Sequence, residues 1–157
     1  MRMNTTKRFD RALYNQADTA AKDAIIKWLR KEDYININDK ETMSFDIVCN
    51  RVQDTDEELL NYFFEVEIKY AWKGEWPEDW EEVRIPYRKH KLIDRWVSQF
   101  IYDDLTFVIF RNDCKQAWFI PGDVVSKSKV KEVSNRNVSK GEKFYHINIK
   151  DADLVDI

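Results

Sequence analysis

Between Tyr62 and Trp72 the chain alternates with a period of two. Tyr62, Phe64, Val66, Ile68, Tyr70 and Trp72 are apolar, while Glu65, Glu67 and Lys69, on the positions between, are ionisable. Successive side chains of a strand point to opposite faces, whereas a helix repeats about every 3.6 residues. The segment therefore reads as a β-strand with one buried face and one face carrying two carboxylates and an ammonium in a row. A solvated edge strand is the ordinary source of such a row. Aromatic and apolar neighbours on both sides (Phe63, Phe64, Tyr70, Ala71, Trp72) argue for a central strand instead. There, ionisable groups are costly unless they are paired or hold a cation.

The elements around this strand follow from pattern. Leu13, Ala17, Ala21, Ala24, Ile25, Trp28 and Leu29 recur at helical spacing, which predicts an amphipathic helix over about Asp10 to Lys31. Tyr34 to Ile37 and Met43 to Asn50 read as strands, with the polar stretch Arg51 to Leu60 as a surface connection. Pro86 precedes a second helix, about Tyr87 to Ile101, striped by Leu92, Ile93, Trp96, Val97, Phe100 and Ile101. Leu105 to Phe110 and Gln116 to Ile120 form a hairpin about Asn112-Asp113, stopped by Pro121-Gly122. Lys127 to Lys143 reads as a basic loop and Phe144 to Ile149 as a last strand. The order predicts an α/β (α+β) fold, a central mixed β-sheet flanked by helices. A length of 157 residues fits a single domain over 1–157.

Composition narrows the function classes. Hydrophobic residues at 43% and charged residues at 35% describe a globular chain, not a disordered one. No apolar run approaches a membrane span, and Met1 to Arg11 has no apolar leader core, so the expectation is a soluble protein of the cytoplasm without a membrane partner. Cys49 and Cys114 lie far apart with no metal-like spacing and read as reduced thiols. With only three glycines, turns fall to Asn, Asp and Ser. The net charge of −3 excludes a protein that binds nucleic acid through its whole surface. Charge is nonetheless segregated. Arg84, Arg88, Lys89, Lys91 and Arg95 crowd one segment, and Lys127, Lys129, Lys131, Arg136, Lys140 and Lys143 another; acids concentrate at Asp54 to Glu58 and Glu75 to Glu82.

Asp46, between Phe45 and Ile47 on the preceding strand, supplies a carboxylate beside the Glu-x-Lys row. Phosphodiester cleavage asks for such a set. A divalent cation compensates the anionic substrate and acidifies a bound water, and Mg²⁺ is held by one or two carboxylates while keeping several waters. Asp46 and Glu67 would serve, with the backbone carbonyl of Ile68 as third ligand and Mn²⁺ as a substitute metal. Lys69 would orient the water or stabilise transition-state charge.

Asp46 followed by Glu67-Ile68-Lys69 resembles the Asp…(Asp/Glu)-x-Lys signature of PD-(D/E)XK nucleases, and the wider segment looks like their small phage-type or restriction-type members. That family's core runs helix, three strands, helix, further strands, with the signature on the second and third strands; the predicted order is similar over about Asp10 to Ile120. The resemblance implies a Mg²⁺-dependent endonuclease acting on DNA, in the cytoplasm of the cell or of a phage host. It implies basic residues at the start of the second helix, here Arg88, Lys89 and Lys91, to contact the nucleic acid. It also implies an acid on the first helix, Asp18 or alternatively Asp23, and a homodimer as the working form. Ser44-Phe45 stands where the family's proline would precede the aspartate.

Other features read more plainly. Trp72, Trp76 and Trp80 recur every four residues, but Pro77 prevents one helix across them, so core or interface packing outweighs base stacking. His90 and His146 have no metal-binding spacing. The competing expectations are a non-catalytic nucleic-acid-binding or structural protein on the same fold, and an unrelated α/β protein with a solvated row.

Overall fold

The apolar period at Asp10 to Lys31 produces helix α1, Arg11–Lys31. Arg30 and Lys31 in its last turn suit the negative end of the helix dipole, and Asp33 at φ 64° turns the chain out of it. Strands β1 (Tyr34–Asn38), β2 (Ile47–Arg51) and β3 (Tyr62–Lys69) follow as an antiparallel meander. The computed structural model describes residues 11–41, 44–52, 59–69, 76, 79–133 and 141–157, with side chains of α1 from Thr19 onward. Trp72, the acidic run Asp54 to Glu58, and Arg136 and Lys140 of the second basic segment lie outside the described residues.

Strand β4 (Glu82–Pro86) precedes a 3-10 turn, Tyr87–Lys89, and helix α2 (His90–Gln99). β5 (Asp104–Arg111) and β6 (Gln116–Pro121) form the expected hairpin, followed by α3 (Gly122–Lys127). β7 (Lys129–Glu132), β8 (Lys143–Asn148) and β9 (Asp153–Asp156) complete the chain. The large sheet has the order β1-β2-β3-β5-β6-β9 and is mixed, because β3 and β5 run parallel over eight residue pairs while the other neighbours are antiparallel. A second, antiparallel sheet has the order β4-β8-β7. The expected mixed central sheet flanked by helices is therefore present, in an α+β arrangement. β3 is an interior strand, as its flanking aromatics required.

Both faces of the large sheet are covered. On one, Ala21, Ile25 and Leu29 of α1 pack on Ile47, Cys49, Phe64, Val66, Val108, Phe110 and Ala117. On the other, Phe63, Leu105, Phe107, Ile109 and Ile120 meet Ile93 and Trp96 of α2, Val125 of α3, and Val83, Ile85, Tyr145 and Ile147 of the small sheet. Gly122 permits this closeness, since a Cβ there would stand 3.1 Å from the Leu105 side chain.

Several expectations change in detail. β2 starts at Ile47, so Asp46 precedes the strand. The second helix is shorter than expected and begins as a 3-10 turn. α3 follows Pro121-Gly122, part of the basic loop is strand β7, and the last expected strand joins the small sheet while β9 takes the edge of the large one. Asp33, Asn36 and Ser44 take left-handed backbone as the glycine shortage required, and Glu41 and Cys114 do so as well. Among the described residues no helix is long and apolar enough to cross a membrane.

Candidate functional site

The site lies where β2 and β3 part. Their last ladder pair is Ile47 with Phe64, and the next pair in that register would be Asp46 with Glu65. There the side chains take over from the backbone. The Val66 N–H donates to Asp46 Oδ2 at 2.8 Å, and the Asp46 N–H donates to Glu65 Oε2 at 3.2 Å. The two carboxyl groups are thus locked between the start of β2 and the middle of β3. The loop entering Asp46 holds Glu41 and Ser44 in left-handed backbone, which is uncommon for such residues. Arg95 of α2 steadies it with a 2.9 Å bond to Ser44 Oγ.

Two lysines converge on the pair from opposite sides of the sheet. Lys89, the last residue of the 3-10 turn, donates to Glu65 Oε1 at 2.7 Å. Lys22 of α1 donates to Glu41 at 2.7 Å and stands 3.9 Å from Asp46 Oδ1. Glu65 is only 6% exposed. Glu67, one pleat on, has its Oε1 3.9 Å from Lys69 Nζ, while its Oε2 is buried with no hydrogen-bond partner. Lys69 itself donates to the Arg84 carbonyl of β4 at 2.9 Å.

Burial, and then the negative charge of Glu65, push the Asp46 carboxyl up to about 7, against the Val66 N–H, Lys89 and Lys22, which favour its ionised form. For Lys89, burial favours the neutral amine. The charge and hydrogen bond of Glu65, with Glu67 and Asp46 behind them, outweigh it, and the ammonium is held above its ordinary range. The hydrogen bond from Lys22 holds the Glu41 carboxyl below its usual range.

Of the residues expected from sequence, Asp46, Glu67, Lys69 and Lys89 all belong to this region, but their pairing differs from the motif. The closest partners are Asp46, Glu65 and Lys89; Glu67 and Lys69 lie further along β3. Ile68 turns its side chain into the α1 core. Asp18 lies one helical turn before Lys22, its side chain outside the described residues. Asp23 is exposed and lines a surface pocket with Lys27, Trp28 and Ile157. Arg88 pairs with Glu142 at 3.2 Å and Lys91 is exposed. Glu65 and Lys22 were missed. Glu65 carried a signal, since it occupies the same strand face as Glu67 and lies nearer the β2 end. Lys22 carried none, being one of several charges on the polar side of α1.

No protein-family model, curated protein or solved structure matches the chain. Among the described residues no group of three or more His, Cys, Asp and Glu side chains gathers at metal-binding spacing. A magnesium ion does not require one, because one or two carboxylates plus water suffice. Asp46, Glu65 and Glu67 are all oxygen donors of the hard type that Mg²⁺ prefers, and the orphaned Glu67 Oε2 is available to a cation. The donor set fits.

The remaining candidates are accounted for by packing. Trp76 stacks on Trp80 at 5.2 Å, leans on Trp118 and donates to Gln116, which is the packing role expected of that stretch. His90 stacks on Tyr87 and lies 3.2 Å from Asp94; His146 lies 2.7 Å from Glu82.

Proposed function

We propose that the chain is a divalent-metal-dependent endonuclease hydrolysing phosphodiester bonds in DNA, built on a restriction-endonuclease-like core. The observation that carries this reading is the buried acid pair, Asp46 with Glu65, at the parting of two strands. Burying two carboxyl groups side by side costs free energy, and a fold that only needed packing would place apolar residues there. The order helix, three-strand meander, helix, then a strand parallel to β3 supports the core assignment. β4 is inserted before the second helix.

In this reading Asp46 and Glu67 hold Mg²⁺ or Mn²⁺ with the Ile68 carbonyl, and Glu65 stands beside them. The cation when bound supplies charge compensation and a more acidic water. The protein's own groups do the rest. Lys69, anchored on the Arg84 carbonyl, places its ammonium beside Glu67, where it can orient a water and offset charge on the phosphate. Arg88 and Lys91, both exposed, contact the phosphate backbone. A homodimer in the cytoplasm is the form this reading expects, since cutting a duplex needs two sites.

A second reading has its own support. Lys89 and Lys22 already neutralise the acids, as they would in a non-catalytic nucleic-acid-binding protein that keeps the cluster as a buried ionic network. The experiment that separates the two is cleavage of plasmid, linear duplex, single-stranded and branched DNA with Mg²⁺ or Mn²⁺, wild type beside Lys69→Ala. Metal-dependent cleavage that disappears in the variant supports the nuclease. A folded protein that binds DNA and cuts none of these substrates supports the second reading.

A further inference from the structure

The lysines that offset the charge of the acid cluster are unevenly fixed. Four carboxyl groups, Glu41, Asp46, Glu65 and Glu67, share three ammonium groups, those of Lys22, Lys69 and Lys89. Lys69 is tied to a backbone carbonyl on β4 and stands 3.9 Å from its acid. Lys22 makes its short contact with Glu41, at the periphery. Lys89 alone makes a 2.7 Å contact with a carboxylate of the buried pair. Its backbone is fixed at the N-cap of α2, so movement of this charge needs only side-chain rotation along a four-carbon stem. Arg88 and Lys91, close to it in sequence, are exposed.

We infer that Lys89 is the resident counter-cation of the cluster, holding Glu65 in the metal-free protein and leaving it when a divalent cation binds. The inference rests on the nuclease reading. A divalent cation on Asp46 and Glu67 would stand beside the Glu65–Lys89 pair, where two positive charges at short range repel, so the ammonium and the metal compete. Once released, the Lys89 ammonium joins Arg88 and Lys91 on the side from which a phosphate approaches. The site would thus trade one internal cation for an external one, and cation affinity is set partly by how firmly Lys89 holds Glu65.

The test is calorimetric titration of Mn²⁺ into wild type, Lys89→Met, Lys89→Arg and Lys69→Met, without DNA. Lys89→Met should bind Mn²⁺ at least about tenfold more tightly than wild type, Lys89→Arg should stay near wild type, and Lys69→Met should shift affinity less than Lys89→Met. A second measurement needs no variant. Amine acetylation of wild type, read by mass spectrometry, should rise at Lys89 as Mn²⁺ is added while exposed Lys91 stays constant. Wild type that binds Mn²⁺ with no gain in Lys89→Met, or with Lys89 labelling unchanged, overturns the inference and leaves the nuclease reading standing. No Mn²⁺ binding by any folded form overturns both.

Discussion

The two faces of β3 are made by alternate residues of one strand, yet they solve different problems. The face toward α1 carries Phe64, Val66 and Ile68 and is apolar along its length. The opposite face begins the same way, with Phe63 fully buried against Phe45 and Phe100. It then changes to Glu65, Glu67 and Lys69 within the same strand. Packing closes both faces, but on the second it closes over charge. Glu65 is neutralised by Lys89 from the turn before α2, remote in sequence, while Lys22 of α1 stands 3.9 Å from Asp46 beside it. The comparison teaches that a charged row on a strand need not be a solvated row; what covers it decides.

The largest expected effect tests the shared end of the two faces. Phe63→Ala and Phe64→Ala should each destabilise the fold by about 4 kcal/mol in denaturant unfolding, since both rings are buried. A much smaller cost for Phe63→Ala would mean that the charged face is loosely covered from its start, and would break the comparison there.

Next comes the ionic half. Glu65→Gln removes the partner of a largely buried lysine and should cost about 3 kcal/mol. The double variant Glu65→Leu with Lys89→Met should recover most of that loss, because an apolar pair of similar volume avoids burying charge. Failure of the double variant to recover would show that the pair fixes the local structure, with Asp46 losing the acceptor of its N–H.

How much of this was legible in the sequence differs between the same two faces. The period of two at Tyr62 to Lys69 announced the strand and its α1-facing side, and the aromatic flanks announced its interior place. Asp46 and the Glu67-Lys69 pair are legible from that same alternation and from a lone aspartate set between Phe45 and Ile47. Glu65 is legible as part of the charged row, but its pairing with Asp46 follows from the antiparallel register that would put the two opposite. Register depends on where β2 ends, which a local pattern does not fix. Lys89 is legible as basic, with a phosphate as its expected partner; in the fold it leaves the 3-10 turn Tyr87–Lys89 toward Glu65. β4, β7 and β9 are only four or five residues long, too short for alternation to separate them from loop.

A smaller effect is set by pH. The Asp46 carboxyl is raised to about 7 in the fold, so between its unfolded value near 4 and about 7 the native state binds more protons than the unfolded chain. Metal-free stability should therefore fall as pH rises through that window, the penalty being absent below it and complete above it. Asp46→Asn should remove this contribution. The difference between wild type and variant melting curves, measured from pH 4 to 8, isolates it from carboxyls such as Glu41 that are shifted the other way. No difference across the window would place Asp46 in a more polar setting than its burial indicates.

The smallest effect belongs to the rim. Arg88→Ala breaks an exposed pair with Glu142 and should change stability by less than about 1 kcal/mol, while weakening binding to DNA and flattening its salt dependence. A large loss of stability would move Arg88 from the exposed surface into the scaffold.

The measurement that bears most directly on the central claim is the rate of DNA cleavage in Mg²⁺ by wild type, Asp46→Asn and Glu67→Gln, each first shown to be folded by circular dichroism. The account predicts cleavage by wild type and a loss of about a thousandfold or more in both variants. Variants that cut as fast as wild type, or a folded wild type that cuts nothing in either Mg²⁺ or Mn²⁺, would contradict it.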